Sequence, residues 1–307
     1  MHIHVVAVAG TGMGALAGLL RELGHDVSGS DVSFDPPMGP ALQAWGVRTL
    51  PGFDAKNLQP RPDLVVIGNV CRRNNPEAVA AMEGGLSYTH IAGALQEFVL
   101  SKTSPLVVAG THGKTTTSAM AAWLLDAVGR EPGFLIGGLP KNFAQSFRAP
   151  RSRTALAVEG AMRRAPFVIE GDEYDTAFFE KTAKFLHYRA EVAIVTSIEH
   201  DHIDIYPTLE SYLDAFRKFV AGIPESGLVV AAASDPLVVQ VVNASARAPV
   251  AWYALEGEDT HGMAPHWLAA PAEQRAEGTT FDLFAGGVAA APSCPGRAPR
   301  DRAHREA

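Results

Sequence analysis

Short apolar runs alternate with longer mixed segments along most of the chain. The runs are rich in β-branched residues and predict buried strands at 3–9, 27–31, 64–68, 106–109, 167–169, 192–196 and 227–231. The segments between them predict helices at 15–23, 75–82, 92–100, 114–128 and 209–221. This strand–helix–strand order is typical of parallel sheets, so the expected fold class is α/β.

Two of the predicted strands lead directly into glycine-rich turns. The first turn, GTGMG at 10–14, fits the opening of a dinucleotide-binding fingerprint, and Asp31 ends the next predicted strand. In such a site the glycines let a diphosphate approach the backbone and the carboxylate binds a ribose. A tight strand–helix turn without a ligand explains the pattern equally well. The candidate binding residues are Gly10, Thr11, Gly12, Met13, Gly14 and Asp31.

The second turn, GTHGKTTT at 110–117, has the character of a phosphate loop. Backbone N–H groups and the dipole of the following helix favour an anion there. The general pattern G-x-x-x-x-G-K-[ST] requires glycine where this chain has Val108, so the match is to the shorter G-T-x-G-K-T form. We expect Lys114 to meet the β- and γ-phosphates of a nucleoside triphosphate, and the Thr115 hydroxyl to reach Mg²⁺. The candidate residues are Gly110, Thr111, His112, Gly113, Lys114, Thr115 and Thr116.

Acidic and histidine residues follow two further predicted strands. Glu170 comes directly after the strand at 167–169, and EHDH at 199–202 follows the strand at 192–196. Ligands of open parallel sheets bind beyond the carboxyl ends of the strands, and Mg²⁺ prefers oxygen ligands. We therefore expect Glu170 to be a magnesium ligand, and His202 to complete the metal site or contact a phosphate oxygen. The alternative is that the acidic residues at 172–175 form a solvated loop.

Composition and charge exclude several other classes of protein. The net charge of −7 argues against a general nucleic-acid binder or a membrane-surface protein. No apolar stretch approaches the roughly 18–20 residues of a membrane span. The two cysteines, Cys71 and Cys294, favour a reducing compartment, so we expect a cytoplasmic protein. The sequence predicts neither an oligomeric state nor a role for Cys71.

Several longer segments resemble the Mur ligases, the ATP-dependent amide ligases of peptidoglycan precursors. They are AGTHGKTTT at 109–117, VIEGDEYDTAFFEK at 168–181, KFLHYR at 184–189, IEHDHID at 198–204 and GNV at 68–70. Together they are most similar to the branch that acts in peptidoglycan recycling. That branch joins UDP-N-acetylmuramate to the murein tripeptide L-alanyl-γ-D-glutamyl-meso-diaminopimelate.

The resemblance implies a domain organisation and a mechanism. A Rossmann-like UDP-N-acetylmuramate domain would span 1–101, with the first glycine turn against the diphosphate, and a P-loop ATP-binding domain would span 102–288. The sugar's carboxylate would attack the γ-phosphorus of ATP, and the tripeptide amine would then displace phosphate from the acyl phosphate. Lys114 would neutralise the transferring phosphoryl group, while Thr115, Glu170 and His202 would serve the magnesium sites. Ser197, where many members have asparagine, receives no role.

The resemblance also predicts what this chain lacks. Family members have a third domain that binds the amine substrate, and no counterpart follows residue 288. We expect an incomplete central domain, no C-terminal ligase domain and a truncated or frame-shifted product with uncertain activity. The Ala-, Pro- and Arg-rich segment 289–307 is expected to be disordered, because it buries too little apolar surface.

Three other functions are alternatives to tripeptide ligation. They are a UDP-N-acetylmuramate–L-alanine ligase, a nucleotide-binding remnant without catalysis, and an NAD-dependent dehydrogenase.

Overall fold

The computed structural model describes residues 1–151, 164–275, 278–286 and 288–289. Within these ranges the chain forms two larger sheets and one short hairpin. Most neighbouring strands in the two larger sheets are parallel, so the predicted α/β class is confirmed. In the same ranges, no helix is both long enough and apolar enough to cross a membrane.

The N-terminal sheet has five parallel strands: β1 His2–Val6, β2 Asp26–Asp31, β3 Arg48–Pro51, β4 Leu64–Ile67 and β5 Tyr88–His90. Its helices are α1 Thr11–Glu22, α2 Met38–Ala44, α3 Pro76–Glu83 and α4 Ile91–Phe98, and a 3-10 turn spans Ala55–Leu58. The strand order is β3-β2-β1-β4-β5, which makes the buried strand β1 central. The turn after β1 therefore opens where the strand order reverses, the usual ligand-binding position in such sheets.

The first glycine turn is shorter than the sequence predicts. Strand β1 ends at Val6, and α1 already begins at Thr11, four residues before the predicted start at 15. The Gly14 N–H donates a 2.7 Å hydrogen bond to the Gly10 carbonyl, so most of the expected loop is the first turn of α1. Glycine's low helix propensity explains why the sequence pattern placed the start too late.

The middle sheet has ten strands in the described ranges: β6 Ser104–Ala109, β7 Gly133–Leu135, β8 Phe147–Arg148, β9 Pro166–Gly171, β12 Val192–Val195, β13 Leu228–Ala232, β14 Val250–Leu255, β15 Trp267–Arg275, β16 Gly278–Ala285 and β17 Val288–Ala289. Their order is β17-β16-β15-β14-β13-β12-β6-β9-β7-β8. Strands β10 Asp175–Ala177 and β11 Glu180–Ala183 form the separate hairpin. The helices are α5 Lys114–Ala127, α6 Leu209–Ala221 and α7 Pro236–Ser245, with 3-10 turns at Leu100–Lys102 and Lys184–His187.

One edge of the middle sheet differs from the prediction. Strand β16 pairs antiparallel with both β15 and β17, whereas the sequence suggested no strand beyond 231. Strand β16 leaves Phe281 and Leu283 exposed, so it lacks the continuous buried run by which the parallel strands were recognised. The expected disorder from 289 onward is wrong for Ala289, which pairs with Phe284. The rest of that tail, 290–307, lies outside the described residues.

Aromatic contacts join the N-terminal domain to the middle sheet and to the hairpin. Phe147 of β8 packs edge-on against Trp45, with ring centroids 4.8 Å apart, and its ring fills a notch left by Gly18 of α1. A second contact places Phe179 of the hairpin 5.3 Å from the ring of Tyr88. These contacts fix the turn after β1 relative to the middle sheet.

Candidate active site

Three adjacent strand ends form one edge of the middle sheet. Strand β6 lies between β9 and β12, with Val108 paired to Glu170 on one side and Ala109 to Val195 on the other. The strands are parallel, so the phosphate loop after β6, Glu170 in β9 and the segment after β12 all lie at the same edge. Parallel pairing thus brings together the three regions in which the sequence predicts chemistry.

The second glycine turn is packed against the segment that follows β12. Gly110 has φ +139°, and a Cβ atom there would lie 2.1 Å from Thr196 Oγ1, so only glycine fits this position. Gly113 has φ +80° and precedes the first residue of α5. The Thr111 N–H donates to the Ser197 carbonyl at 2.8 Å. The turn therefore presents the amino end of α5 in a fixed orientation, as anion binding requires.

Ser197, to which the sequence assigned no role, supports this turn. Its hydroxyl accepts a 3.1 Å hydrogen bond from the His112 N–H. The His112 ring reaches outward to Glu199 at 3.0 Å, and both of these side chains are exposed. Thr116 is also exposed, in the first turn of α5. Ser197 is thus a residue that fixes the turn, and only the pairing of β6 with β12 reveals this.

Lys114 is paired with an acid that the sequence did not single out. Its ammonium lies 3.1 Å from Glu173 Oε2 and donates to the Gly110 carbonyl at 2.6 Å. Glu173 is fully buried, so the solvated loop considered at 172–175 is wrong for this residue. Its carboxylate also meets the Tyr212 hydroxyl at 3.4 Å. The pair holds the lysine over its own turn, where a phosphate group would sit.

Glu170 faces the phosphate loop from the neighbouring strand. Its carboxylate accepts hydrogen bonds from the Thr115 hydroxyl at 3.0 Å and from the Gly137 N–H at 2.7 Å. Burial raises the pKa of Glu170, while the two hydrogen bonds act in the opposite direction. The structure thus brings Thr115 and Glu170 into direct contact.

His202 belongs to the other side of the same edge. Its Nε2 lies 3.1 Å from Glu173 Oε1, and its ring packs on Tyr174 with centroids 4.2 Å apart. Its backbone adopts φ +56°, a strained conformation for a residue with a Cβ. The predicted metal residues therefore form two groups, Thr115 with Glu170 and His202 with Glu173, with Lys114 on the Glu173 side.

A cleft of about 270 Å³ lies between the first glycine turn and Glu170. Gly10, Thr11 and Met13 line it on the N-terminal side, and Glu170 and Lys184 line it on the middle-domain side. The first turn and Glu170, which contacts Thr115 of the phosphate loop, thus share one cavity.

Asp31 stabilises the first glycine turn from β2. One carboxylate oxygen accepts the Ala9 N–H at 2.8 Å, and the other accepts the Val32 N–H at 2.7 Å. The described geometry therefore shows Asp31 holding the backbone beside the turn.

A His–Glu–His cluster in the described residues lies outside this edge. His90 Nε2 is 3.0 Å from Glu180, and His187 Nε2 is 3.5 Å from the same carboxylate. The other ring nitrogen of His90 accepts the Gly93 N–H, so the neutral ring carries its proton on Nε2 and donates it to Glu180. A metal would need that nitrogen deprotonated. The cluster is therefore a hydrogen-bonded contact between the N-terminal domain and the hairpin.

Cys71 is buried beneath the N-terminal sheet. Burial raises the pKa of its thiol to about 11. At neutral pH the side chain is therefore a protonated thiol, which is a poor nucleophile.

Comparison with known proteins agrees with the expected family. Residues 2–103 match "Mur ligase family, catalytic domain", and residues 108–297 match "Mur ligase middle domain". The UDP-N-acetylmuramate–L-alanyl-γ-D-glutamyl-meso-2,6-diaminoheptandioate ligase of Escherichia coli K12 is 43% identical over 230 residues, which is 75% of this chain and 48% of that protein. The UDP-N-acetylmuramate–L-alanine ligase of Chloroflexus aggregans is 36% identical over 92% of this chain and 56% of its own length.

A solved structure shows the same architecture. The UDP-N-acetylmuramate:L-alanyl-γ-D-glutamyl-meso-diaminopimelate ligase from Neisseria meningitides superposes with a TM-score of 0.81 at 39% identity, over 94% of this chain and 85% of the other. The present chain spans about half the length of the curated relatives it matches. Both matched domains, in this order, show that the chain belongs to the Mur ligase family.

Proposed function

We propose that this chain supplies the UDP-N-acetylmuramate and ATP sites of an ATP-dependent amide ligase that attaches the tripeptide L-alanyl-γ-D-glutamyl-meso-diaminopimelate. The cleft between the first glycine turn and Glu170 is the observation on which the proposal depends. Glu170 contacts Thr115 at the start of α5, so a substrate in this cleft would lie next to the phosphate loop. The E. coli relative that bears this activity in its name supports the choice of amine. In this account the first turn binds the diphosphate of the UDP-sugar, and 110–116 bind ATP.

The reaction assigns each part of the site a task. A carboxylate oxygen of the sugar's lactyl group attacks the γ-phosphorus, ADP leaves, and an acyl phosphate forms. The tripeptide amine then attacks the carbonyl carbon, and phosphate leaves. Lys114 balances the charge of the transferring group, and the backbone N–H groups at the start of α5 orient the phosphates. Because the lysine is already held over the turn by Glu173, little side-chain freedom is lost on binding.

Magnesium fits the residues at this edge. The Thr115 hydroxyl and the Glu170 carboxylate provide oxygen donors, the kind that Mg²⁺ prefers. Glycine at 137 leaves space beside that carboxylate, because a Cβ there would lie 3.2 Å from Glu170 Oε2. Bound Mg²⁺ would supply charge neutralisation to the phosphates. His202 would serve the site from the side of Glu173.

A direct test offers the protein UDP-N-acetylmuramate and MgATP with either the tripeptide or free L-alanine. Phosphate release and the mass of the product are measured. We expect the product of tripeptide ligation. A preference for L-alanine would instead support the second candidate, the activity named for the Chloroflexus relative.

A third candidate is a nucleotide-binding module without ligase chemistry. In that case calorimetry would detect binding of both UDP-N-acetylmuramate and MgATP, but neither the tripeptide nor L-alanine would yield a ligation product.

A further inference from the structure

Lys184 occupies a position in the cleft that the reaction scheme above leaves unused. It begins the 3-10 turn after the hairpin, and its N–H donates to the Tyr174 carbonyl at 3.1 Å. Its side chain is only 12% exposed and lines the cavity between the first glycine turn and Glu170. A cation is therefore held between the places proposed for the two substrates.

The neighbours of Lys184 fix its ammonium without saturating it. Nζ donates to Asp172 Oδ2 at 3.2 Å and lies 5.8 Å from the centroid of the Tyr174 ring. An ammonium has three N–H donors, and the hydrogen bond to Asp172 uses one of them. Donors thus remain for a ligand in the cleft.

The charged side chains that line the cleft determine where a negatively charged ligand group can bind. Its acidic lining residues are Glu170 and Asp172, and Lys184 is the basic one among the described lining residues. A carboxylate entering this space would be repelled by both acids unless a cation received it. The diphosphate of a UDP-sugar would lie farther along, against the backbone of the first glycine turn.

We propose that the Lys184 ammonium binds the carboxylate of the sugar substrate and positions it between the first glycine turn and the phosphate loop. This inference rests on the proposed function, because it needs a UDP-sugar acid in the cleft. Lys184 then distinguishes an acid-bearing UDP-sugar from one without the acid.

The test compares two ligands on three variants by calorimetry. UDP-N-acetylmuramate carries a lactyl ether with a carboxylate on its sugar ring, and UDP-N-acetylglucosamine has a free hydroxyl where that whole lactyl ether is attached. We expect the wild type to prefer the acid by at least about 10-fold, the range of a charge-assisted hydrogen bond. Lys184→Met should lose that preference while keeping its affinity for UDP-N-acetylglucosamine within about 2-fold. Lys184→Arg should keep most of the preference.

Lys181→Met is the matched control, because Lys181 lies only three residues earlier, in β11, but is exposed and outside the cleft. It should bind both sugars like the wild type. If Lys184→Met unfolds, the Asp172→Asn/Lys184→Met variant removes both charges and replaces it in the comparison.

The outcomes separate this inference from the proposed function. A wild type that binds neither sugar contradicts the proposed function itself. A wild type that binds both equally, or a Lys184→Met protein that retains the preference, overturns the inference alone. If Lys184→Met binds both sugars more weakly by the same factor, Lys184 has a structural role through Asp172, and this result would also overturn the inference.

Discussion

The Lys114 ammonium lies 3.1 Å from a carboxylate oxygen of Glu173, a side chain with no solvent exposure. His202 reaches the same carboxylate at 3.1 Å. One buried acid therefore links the start of α5 to the segment that follows β12. A buried carboxylate is tolerated only while such partners compensate its charge.

This relationship predicts that Lys114→Met lowers the free energy of unfolding by about 3 kcal/mol, because it removes the principal cation beside a buried carboxylate. Adding Glu173→Gln should restore most of the loss, since the amide carries no charge to compensate. Urea unfolding followed by circular dichroism measures both. If the change in unfolding free energy of the double variant equals the sum of the changes in the two single variants, Lys114 and Glu173 are not coupled.

Glu170→Gln should remove most of the effect of Mg²⁺ on ATP binding. Glutamine can still accept the Gly137 N–H but offers the metal no charge, so the affinity gained on adding Mg²⁺ should fall at least about 10-fold. Metal-free ATP should bind as before. Calorimetry with and without Mg²⁺ gives both values. Glu210→Gln, on the exposed face of α6, is the control, and an equal Mg²⁺ effect in both variants would argue against Glu170 as a ligand.

Gly18→Ala should weaken the contact between the two sheets. A Cβ there would lie 2.3 Å from the Phe147 ring, which is buried against Trp45. We therefore expect the free energy of unfolding to fall by about 1–3 kcal/mol. Gly12→Ala on the same helix is the control, because its nearest neighbour would be 3.7 Å away. Thermal unfolding of both variants measures the difference. If the two variants unfold alike, packing at Gly18 does not join the domains.

The stability provided by His90 should depend on pH. Burial lowers the pKa of this histidine below its usual 6.5, with Glu180 raising it and His187 lowering it further. The folded protein therefore takes up this proton less readily than the unfolded chain, and stability is lost as pH falls below 6.5 towards the folded pKa. The free energy of unfolding of the wild type should exceed that of His90→Gln by more at pH 7.5 than at pH 5. Urea unfolding at both pH values measures this difference. A difference independent of pH would contradict this.

The features that the sequence predicted well depend on local patterns. Buried strands such as 106–109 and the turn at 110–113 are recognisable within a few residues, because apolar runs and glycines report directly on backbone conformation. The residue-level assignments of ATP, magnesium and UDP-sugar contacts remain predictions.

The features that it missed depend on distant partners. Glu173 stands in an acidic segment that looks solvated, and its contacts with Lys114, His202 and Tyr212 explain its burial. Ser197 acquires its role only when β12 pairs with β6. Burial and pairing of this kind involve residues 29 to 85 positions apart, beyond any local pattern.

The role of Lys114 in ATP binding is tested most directly by calorimetric titration of MgATP into the wild type, Glu173→Gln, and Lys114→Met/Glu173→Gln. We expect the wild type and Glu173→Gln to bind MgATP, and the double variant to bind it at least about 10-fold more weakly, because the ammonium that meets the phosphates is gone. Equal affinity in all three proteins, or no binding to the folded wild type, would contradict it.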